Sequence, residues 1–205
     1  MGKEEYLGSG SERIDSLLLF SAEIDKMTAI ERRTLLVDRS RRENDAEHSW
    51  HIAVMAMLFE EYALEKPDVG RVSEMCAAHD LVEIYAEDTF AYDEKGNLDK
   101  AAREKEAADR LFGSLPDEKG KYLRALWEEF DAMETPEARL ANVCDRLQPV
   151  ILNLASGGRA WLQHDARVSR VRERVRIIGE VSPALGAWVE AQLARAVENG
   201  WLRNE

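Results

Sequence analysis

The stretch MCAAHDLVEI, residues 75–84, places an imidazole and a carboxylate, His79 and Asp80, in the middle of an apolar run. In the surrounding segment DVGRVSEMCAAHDLVEIYAE, apolar residues recur at helical spacing, which predicts one continuous helix over residues 68–87. Neither side chain can be buried there without partners, because losing hydration is costly for both. The run therefore predicts a helical core with a polar site built into it. Glu83, one turn beyond His79, would border the same site.

A second helix is expected to begin just after Asn44. Asn44 and Glu47 have the spacing of a capping box, in which each side chain accepts a hydrogen bond from the backbone of the other residue. The helix would continue until Pro67, and His48 would lie in its first turn. The preceding segment RRTLLVD, residues 32–38, is predicted to be a short turn.

A third helix is predicted from TPE at 135–137, which supplies a cap, a proline at the first helical position and an acid in the first turn. It carries Asp145, and Pro149 should kink or shorten it because the ring removes a backbone donor. Two amphipathic helices are expected over 100–115 and 117–133. With two more near the C-terminus, the predicted fold class is all-α.

The length and composition of the chain limit the number of domains that it can form. The 205 residues are 45% hydrophobic and 33% charged, enough for one sizeable core. We expect a flexible leader over residues 1–11 and a single domain over 12–205. Cys76 and Cys144 lie in apolar helical contexts and are predicted to be buried free thiols, as is typical of a cytoplasmic protein.

Charge and hydropathy exclude some partners. A formal net charge of -12 opposes binding to a phosphate backbone, so nucleic acid is not expected as a partner. The chain has no apolar run of membrane-spanning length, and its N-terminus lacks the apolar core of a signal peptide, so no membrane association is expected. A small phosphorylated metabolite remains compatible, because a metal ion and one or two arginines suffice to hold it.

Four dispersed side chains have the chemistry of metal ligands: His48, His79, Asp80 and Asp145. Two imidazoles and two carboxylates suit a borderline divalent cation. Each has an ordinary alternative, since a buried histidine or aspartate is often paired within the core, for example Asp145 with the adjacent Arg146. The basic cluster 32–42 is likewise either a solvated stretch or the source of a guanidinium that holds phosphate.

These segments carry a family resemblance. RRTLLVDRSRRENDAEHSW, AAHDLVEIYAEDTFAYD and ALWEEFDAMETPEARLANVCDRLQPVI resemble the HD-domain metal-dependent phosphohydrolases, in the branch of the 5'-deoxynucleotidases. The resemblance covers about residues 14–165, leaving C-terminal helices over 165–200. It implies a single-domain HD-type helical bundle with a metal site between the helices.

The resemblance also implies roles for individual residues. His48, His79, Asp80 and Asp145 match the four metal ligands. Glu83 matches the acid that assists proton transfer. Arg33 matches the phosphate-binding arginine, with Arg32 as a near alternative. Asp88 matches the aspartate that approaches the nucleoside sugar, and the differences at Thr34 and Glu87 leave the sugar preference open.

The expected activity is removal of the 5'-phosphate from (deoxy)nucleoside monophosphates by a metal-activated water, with one divalent ion (Mn, Co, Fe, Ni or Zn). Two alternatives stay open. One is an HD enzyme that hydrolyses nucleoside triphosphates or cyclic phosphodiesters with the same ligands. The other is an inactive helical interaction module stapled by the metal. Relatives in the family are commonly homodimers, and the tryptophans of the C-terminal region would serve either an interface or the core.

Overall fold

The computed structural model describes residues 8–86 and 99–205. Its α-helices, in chain order, are α1 (Glu12–Glu23), α2 (Asp45–Phe59), α3 (Val69–Ala78), α4 (Glu83–Ala86), α5 (Lys100–Phe112), α6 (Asp117–Ala132), α7 (Pro136–Ser156), α8 (Arg159–Gln163), α9 (Val168–Val181) and α10 (Pro183–Glu198). Two short strands, β1 (Glu31–Leu35) and β2 (Arg42–Asn44), form an antiparallel hairpin. Short 3₁₀ turns cover Ile24–Ala29 and Glu60–Tyr62.

Helix α7 is the centre of the bundle. Helices α2, α3, α6 and α9 and strand β1 all pack against it, and α2 also packs along α3. Its apolar residues include Leu140 and Leu147, which are almost completely buried and meet Ile52 of α2 and Met75 of α3 in one core. Because this helix is buried on so many sides, its residue Asp145 lies inside the protein. The carboxylate of Asp145 must therefore find its hydrogen-bond partners within the bundle.

The strands correct the prediction of a simple turn at RRTLLVD. Glu31 pairs with Asn44 and Leu35 with Arg42. The connection closes with a hydrogen bond from Leu36 N to Arg41 O of 3.0 Å. A five-residue strand is too short to show a periodic pattern, and here it is rich in arginine. The hairpin lays β1 across α7 at the polar site.

The continuous helix predicted over 68–87 is also wrong. Helix α3 ends at Ala78, and a new short helix begins at Glu83. Between them the backbone tightens into bonds three residues apart, including Glu83 N to Asp80 O at 2.9 Å. Propensity alone would continue the helix, but the break turns both His79 and Asp80 into the interior.

The predicted start signals are confirmed. Asn44 and Glu47 form the full capping box, although α2 ends at Phe59, before Pro67. Thr135 caps α7 by accepting a hydrogen bond from Ala138 N at 3.1 Å. Pro149 does not shorten α7, which continues to Ser156 before two residues with φ near +72° end it.

The two cysteines are free and buried, as predicted. Residues 1–7 of the predicted leader and residues 87–98, which include Asp88, lie outside the described residues. Within the described ranges, no helix combines the length and apolar character needed to cross a membrane. The division into leader and domain stays a prediction.

Candidate metal centre

His48 lies fully buried in the first turn of α2, where the capping box fixes the start of the helix. Its Nδ1 lies 3.2 Å from Gln148 Oε1, which can only accept, so this nitrogen donates and Nε2 keeps its lone pair. That Nε2 lies 3.1 Å from Asp145 Oδ1. Helix α7 supplies both partners, since Asp145 and Gln148 are three residues apart on one face.

His79 is oriented in the same way by a different partner. Its Nδ1 donates to the backbone carbonyl oxygen of Cys76 at 2.9 Å, one turn back at the end of α3. Its Nε2 is buried and makes no hydrogen bond within the described structure. The His48 and His79 rings are 5.5 Å apart, and Asp145 Oδ1 lies 4.0 Å from His79 Nε2. One carboxylate oxygen therefore sits beside both imidazole nitrogens.

Asp80 faces two ways. Its Oδ1 lies 3.0 Å from His79 Nε2, while its Oδ2 accepts a hydrogen bond of 2.8 Å from Arg32. One ligand atom each from His48, His79 and Asp145 lies within 4.8 Å of the others. The structure thus brings three of the predicted ligands to one point and places Asp80 at its edge.

The chemistry of this group fits a divalent cation. His79 Nε2 makes no hydrogen bond and lies beside carboxylate oxygens of Asp80 and Asp145, so a cation that replaced a proton there would meet both a nitrogen lone pair and negative charge. Two neutral imidazoles with carboxylate oxygens beside them are the donors that borderline divalent metals bind. His48, His79 and Asp145, with Asp80 adjacent, are therefore the residues that would hold the ion.

The electrostatic environment keeps most of these side chains in the protonation state that binds a metal ion. Burial lowers the pKa of His48, which favours its neutral imidazole. Burial alone would raise the pKa of Asp145, but the adjacent His48 ring and the positive charge of Arg174 hold it well below its usual range. For His79, burial lowers the pKa, but the contact with Asp80 and the negative charges of Asp80 and Asp145 together raise it. A cation at this point would replace the proton that these carboxylates favour on His79.

The remaining predicted residues are placed differently. Glu83 begins α4 and is buried, and its side chain lines the same cavity as His79. Arg33 is exposed on β1 and also lines that cavity, whereas Arg32 is drawn inward by the carboxylates. Asp88 lies outside the described residues.

The cavity beside these residues has a volume of about 360 Å³. Its walls combine basic, aromatic and amide side chains, namely Arg32, Arg33, Lys100, Arg146, Arg174, Phe130, Trp161, His164, Asn142 and Asn153. The lining also includes the acidic residues Asp80, Glu83, Asp131 and Asp145. An anionic group can approach the carboxylates of the metal centre only if a cation neutralises them.

Sequence reasoning missed several residues of the site. Gln148 orients His48, and its Nε2 also donates to Glu43 Oε2 at 2.6 Å. The spacing of Gln148 from Asp145 was a usable signal, because residues three apart share a helix face. Arg174 lies 3.8 Å from Asp145 Oδ2, but it sits on α9 with nothing in the sequence to link it to the site.

Comparison with known proteins identifies the family. The family model described as "HD domain" matches residues 24–186, most of the chain. The chain belongs to the HD-domain family. This membership confirms the resemblance drawn from the motifs of the sequence.

Several relatives of this HD-domain protein carry names that describe an activity. "5'-deoxynucleotidase HDDC2" of Danio rerio is 26% identical over 139 residues, covering 67% of this chain and 68% of the relative. The protein of the same name from Xenopus laevis is 28% identical over 145 residues, covering 70% and 71%.

Two solved structures are also similar. The crystal structure of a "Predicted metal-dependent phosphohydrolase" from Magnetospirillum magnetotacticum MS-1 has a TM-score of 0.89 and 46% identity, and the match covers 96% of this chain and 98% of that one. The PH0347 protein from Pyrococcus horikoshii OT3 has a TM-score of 0.61 at 17% identity, covering 89% and 99%, and shows the fold alone.

Proposed function

We propose that this HD-domain protein is a metal-dependent phosphohydrolase that removes the 5'-phosphate from (deoxy)nucleoside monophosphates. One observation carries the proposal: two buried imidazoles and the Asp145 carboxylate converge beside a cavity with basic and aromatic walls. The names of the curated relatives supply the substrate class, and the 46% identical structure is described as a metal-dependent phosphohydrolase.

His48, His79, Asp80 and Asp145 are proposed to hold one divalent ion of the Mn, Co, Fe, Ni or Zn group. When bound, such an ion lowers the pKa of water and neutralises charge on a phosphoryl group. The protein's own contribution is orientation, since the Nδ1 hydrogen bonds of both histidines direct their Nε2 atoms to one point.

The substrate phosphate is proposed to be held by Arg33, whose exposed guanidinium lines the cavity. Arginine suits this task because its fork of N–H donors matches the oxygens of a phosphate. Trp161, a largely buried residue that lines the cavity, is proposed to offer an aromatic face to the nucleoside. The volume of about 360 Å³ lies within the range of small-molecule sites.

Glu83 is proposed to exchange a proton during hydrolysis. Its carboxyl group is buried at the cavity wall, close to Asp80 in the turn that separates α3 from α4. A carboxyl group in this position can orient the attacking water or protonate the leaving 5'-oxygen. Asp88 is proposed to approach the sugar, by analogy with the family motif.

The arrangement favours this activity over an inactive, metal-stapled module. Structural metal sites are closed by protein ligands, whereas His79, Asp80 and Asp145 all border an open cavity. Hydrolysis of triphosphates or cyclic diesters would require the same metal ligands, and only product analysis separates those reactions from monophosphate cleavage.

A homodimer is proposed through the outer face of α2. Trp50, Met57 and Leu58 are 69%, 58% and 60% exposed, and their spacing places them along one side of the helix. Two of the C-terminal tryptophans serve the core, since Trp161 is buried and Trp201 packs against the core, whereas Trp188 is 40% exposed. Light scattering of Trp50→Glu should report a monomer where the parent protein is a dimer.

The proposed location of the protein is the cytoplasm.

A phosphate-release screen tests the function. Metal-stripped protein is given Mn²⁺, Co²⁺, Ni²⁺, Zn²⁺ or Mg²⁺ and a set of ribo- and deoxyribonucleoside mono- and triphosphates. We expect inorganic phosphate from 5'-monophosphates only, and only with added metal. An Asp145→Asn variant with an unchanged circular dichroism spectrum should release none. Equal release from triphosphates, or none from any monophosphate with any metal, would refute the proposal.

A further inference from the structure

A second cluster of acidic residues borders the candidate metal centre, and a cationic side chain lies within this cluster. One carboxylate oxygen each from Asp45, Asp80 and Glu83 lies within 4.8 Å of the others. Oxygen ligands at such spacing are those that hard divalent cations bind. Arg32 occupies this position, with Nη1 at 3.1 Å from Asp45 Oδ1 and 2.8 Å from Asp80 Oδ2.

We infer that Arg32 takes the place of a second metal ion and thereby keeps the centre mononuclear. The inference rests on the proposed function, because it presupposes that His48, His79 and Asp145 hold one divalent cation. It assigns to Arg32 a positioning role in the metal centre and leaves the phosphate to Arg33.

The charge of Arg32 cannot be removed by titration, because a guanidinium stays protonated in proteins. Its side chain is only 15% exposed and touches two of the three acidic residues. Burial works against its charge, but the surrounding carboxylates, Asp80 foremost, raise its pKa further above the ordinary value. A divalent ion would have to displace a permanent positive charge from the same oxygens, and the two charges would repel each other.

Asp80 connects the two acidic positions. Its Oδ1 lies beside His79 Nε2 at 3.0 Å, and its Oδ2 accepts from Arg32 Nη1. The hydrogen bond to Arg32 therefore fixes the rotation of the carboxylate, which leaves Oδ1 directed to the first centre. If a metal replaced the guanidinium, Asp80 would bridge the two ions.

The β-hairpin holds Arg32 in place. Arg32 Nε lies 3.7 Å from Glu43 Oε1 of the paired strand, and Thr34, two residues along on the same strand face, donates to that oxygen. Glu43 is in turn held by Gln148 of α7 at 2.6 Å. The guanidinium is thus fixed by buried contacts from a strand and a helix, whereas Arg33, the next residue, is exposed.

Metal stoichiometry tests the inference without using catalysis as the readout. Wild type, Arg32→Met, Arg32→Gln and Arg32→Lys are dialysed to equilibrium against Mn²⁺ and analysed by elemental mass spectrometry and electron paramagnetic resonance. Arg33→Met is the matched control, one position away on the same strand. The double variant Arg32→Met with Asp45→Asn locates any additional ion.

We expect one Mn²⁺ per chain in wild type, Arg32→Lys and Arg33→Met. The uncharged Arg32→Met and Arg32→Gln should each bind a second ion and show the spectrum of an exchange-coupled pair bridged by Asp80. Removing the Asp45 carboxylate in the double variant should restore a single, uncoupled ion.

Two ions in wild type would overturn the inference while leaving the proposed hydrolase intact. One ion in both folded, uncharged variants would also overturn it. No bound metal in wild type would instead contradict the proposed function itself, and the inference would fail with it.

Discussion

The orientation of His48 by Gln148 leads to a quantitative prediction. Gln148 is fully buried, accepts from His48 Nδ1 at 3.2 Å and donates to Glu43 at 2.6 Å. Gln148→Leu keeps most of the volume but removes these bonds and the contact of 3.3 Å with His51 Nδ1, so the His48 imidazole loses the acceptor that fixes its tautomer. Loss of such an outer partner typically lowers metal affinity by about 10–100-fold, or about 1.4–2.7 kcal/mol.

Folding stability should fall as well. The substitution leaves His48 Nδ1–H and one oxygen of Glu43 buried without this partner, and each unsatisfied buried group costs on the order of 1–3 kcal/mol. We therefore expect a lower midpoint in urea for the metal-free variant. Metal affinity is measured separately, by competition of the folded protein with a chromogenic chelator for Zn²⁺ or Co²⁺.

Two variants control this experiment. Gln163→Leu makes the same chemical change at an exposed position at the end of α8 and should alter neither quantity. Gln148→Glu retains an acceptor for His48, so it should bind metal more tightly than Gln148→Leu. If Gln148→Leu binds metal as tightly as the parent protein, the histidine is not oriented through this bond and the reasoning is wrong.

Further predictions concern individual carboxylates. Asp80→Ala should lose bound metal and nearly all phosphate release with its helical circular dichroism intact; parental turnover would remove Asp80 from the centre. Glu83→Gln should keep metal and lower kcat by about 10²-fold, whereas a raised KM at unchanged kcat would contradict proton transfer. Burial and the charge of Asp80 raise the pKa of Asp45 to about 6. The metal-free folded protein therefore binds this proton more tightly than the unfolded chain does, and its stability falls as the pH rises from the ordinary pKa of aspartate to about 6. Asp45→Asn should therefore raise the Tm of metal-free protein near about pH 7.5 but not near about pH 4; an equal shift at both would argue against this cause.

The local signals in the sequence predicted much of the fold. Asn44 with Glu47 and Thr135 with Pro136 mark helix starts that the structure confirms, because capping depends on residues within one turn. The hairpin and the break after Ala78 could not be predicted this way. Both depend on contacts with distant residues, such as Arg32 with Asp80, that override local propensity.

The candidate site was partly visible in the same sense. His79 and Asp80 stood out because polar groups in an apolar run require partners, and His48 and Asp145 were candidates by their chemistry, to which the family resemblance gave the role of metal ligands. The identity of those partners was not encoded nearby: Gln148 is 100 residues from His48, and Arg174 is 29 residues beyond Asp145 on a separate helix. Convergence of this kind is a property of the folded topology.

The two imidazoles differ in whether a substitution can remove the hydrogen bond that orients them. His79 is aimed by the main-chain oxygen of Cys76, which every amino acid at that position would supply, whereas the aim of His48 depends on the side chain at position 148. Evolution can therefore adjust the donor strength of one ligand by a single substitution that leaves all coordinating atoms unaltered. Position 148 is accordingly the natural place to look for, or to engineer, a change of preferred metal among descendants of this protein.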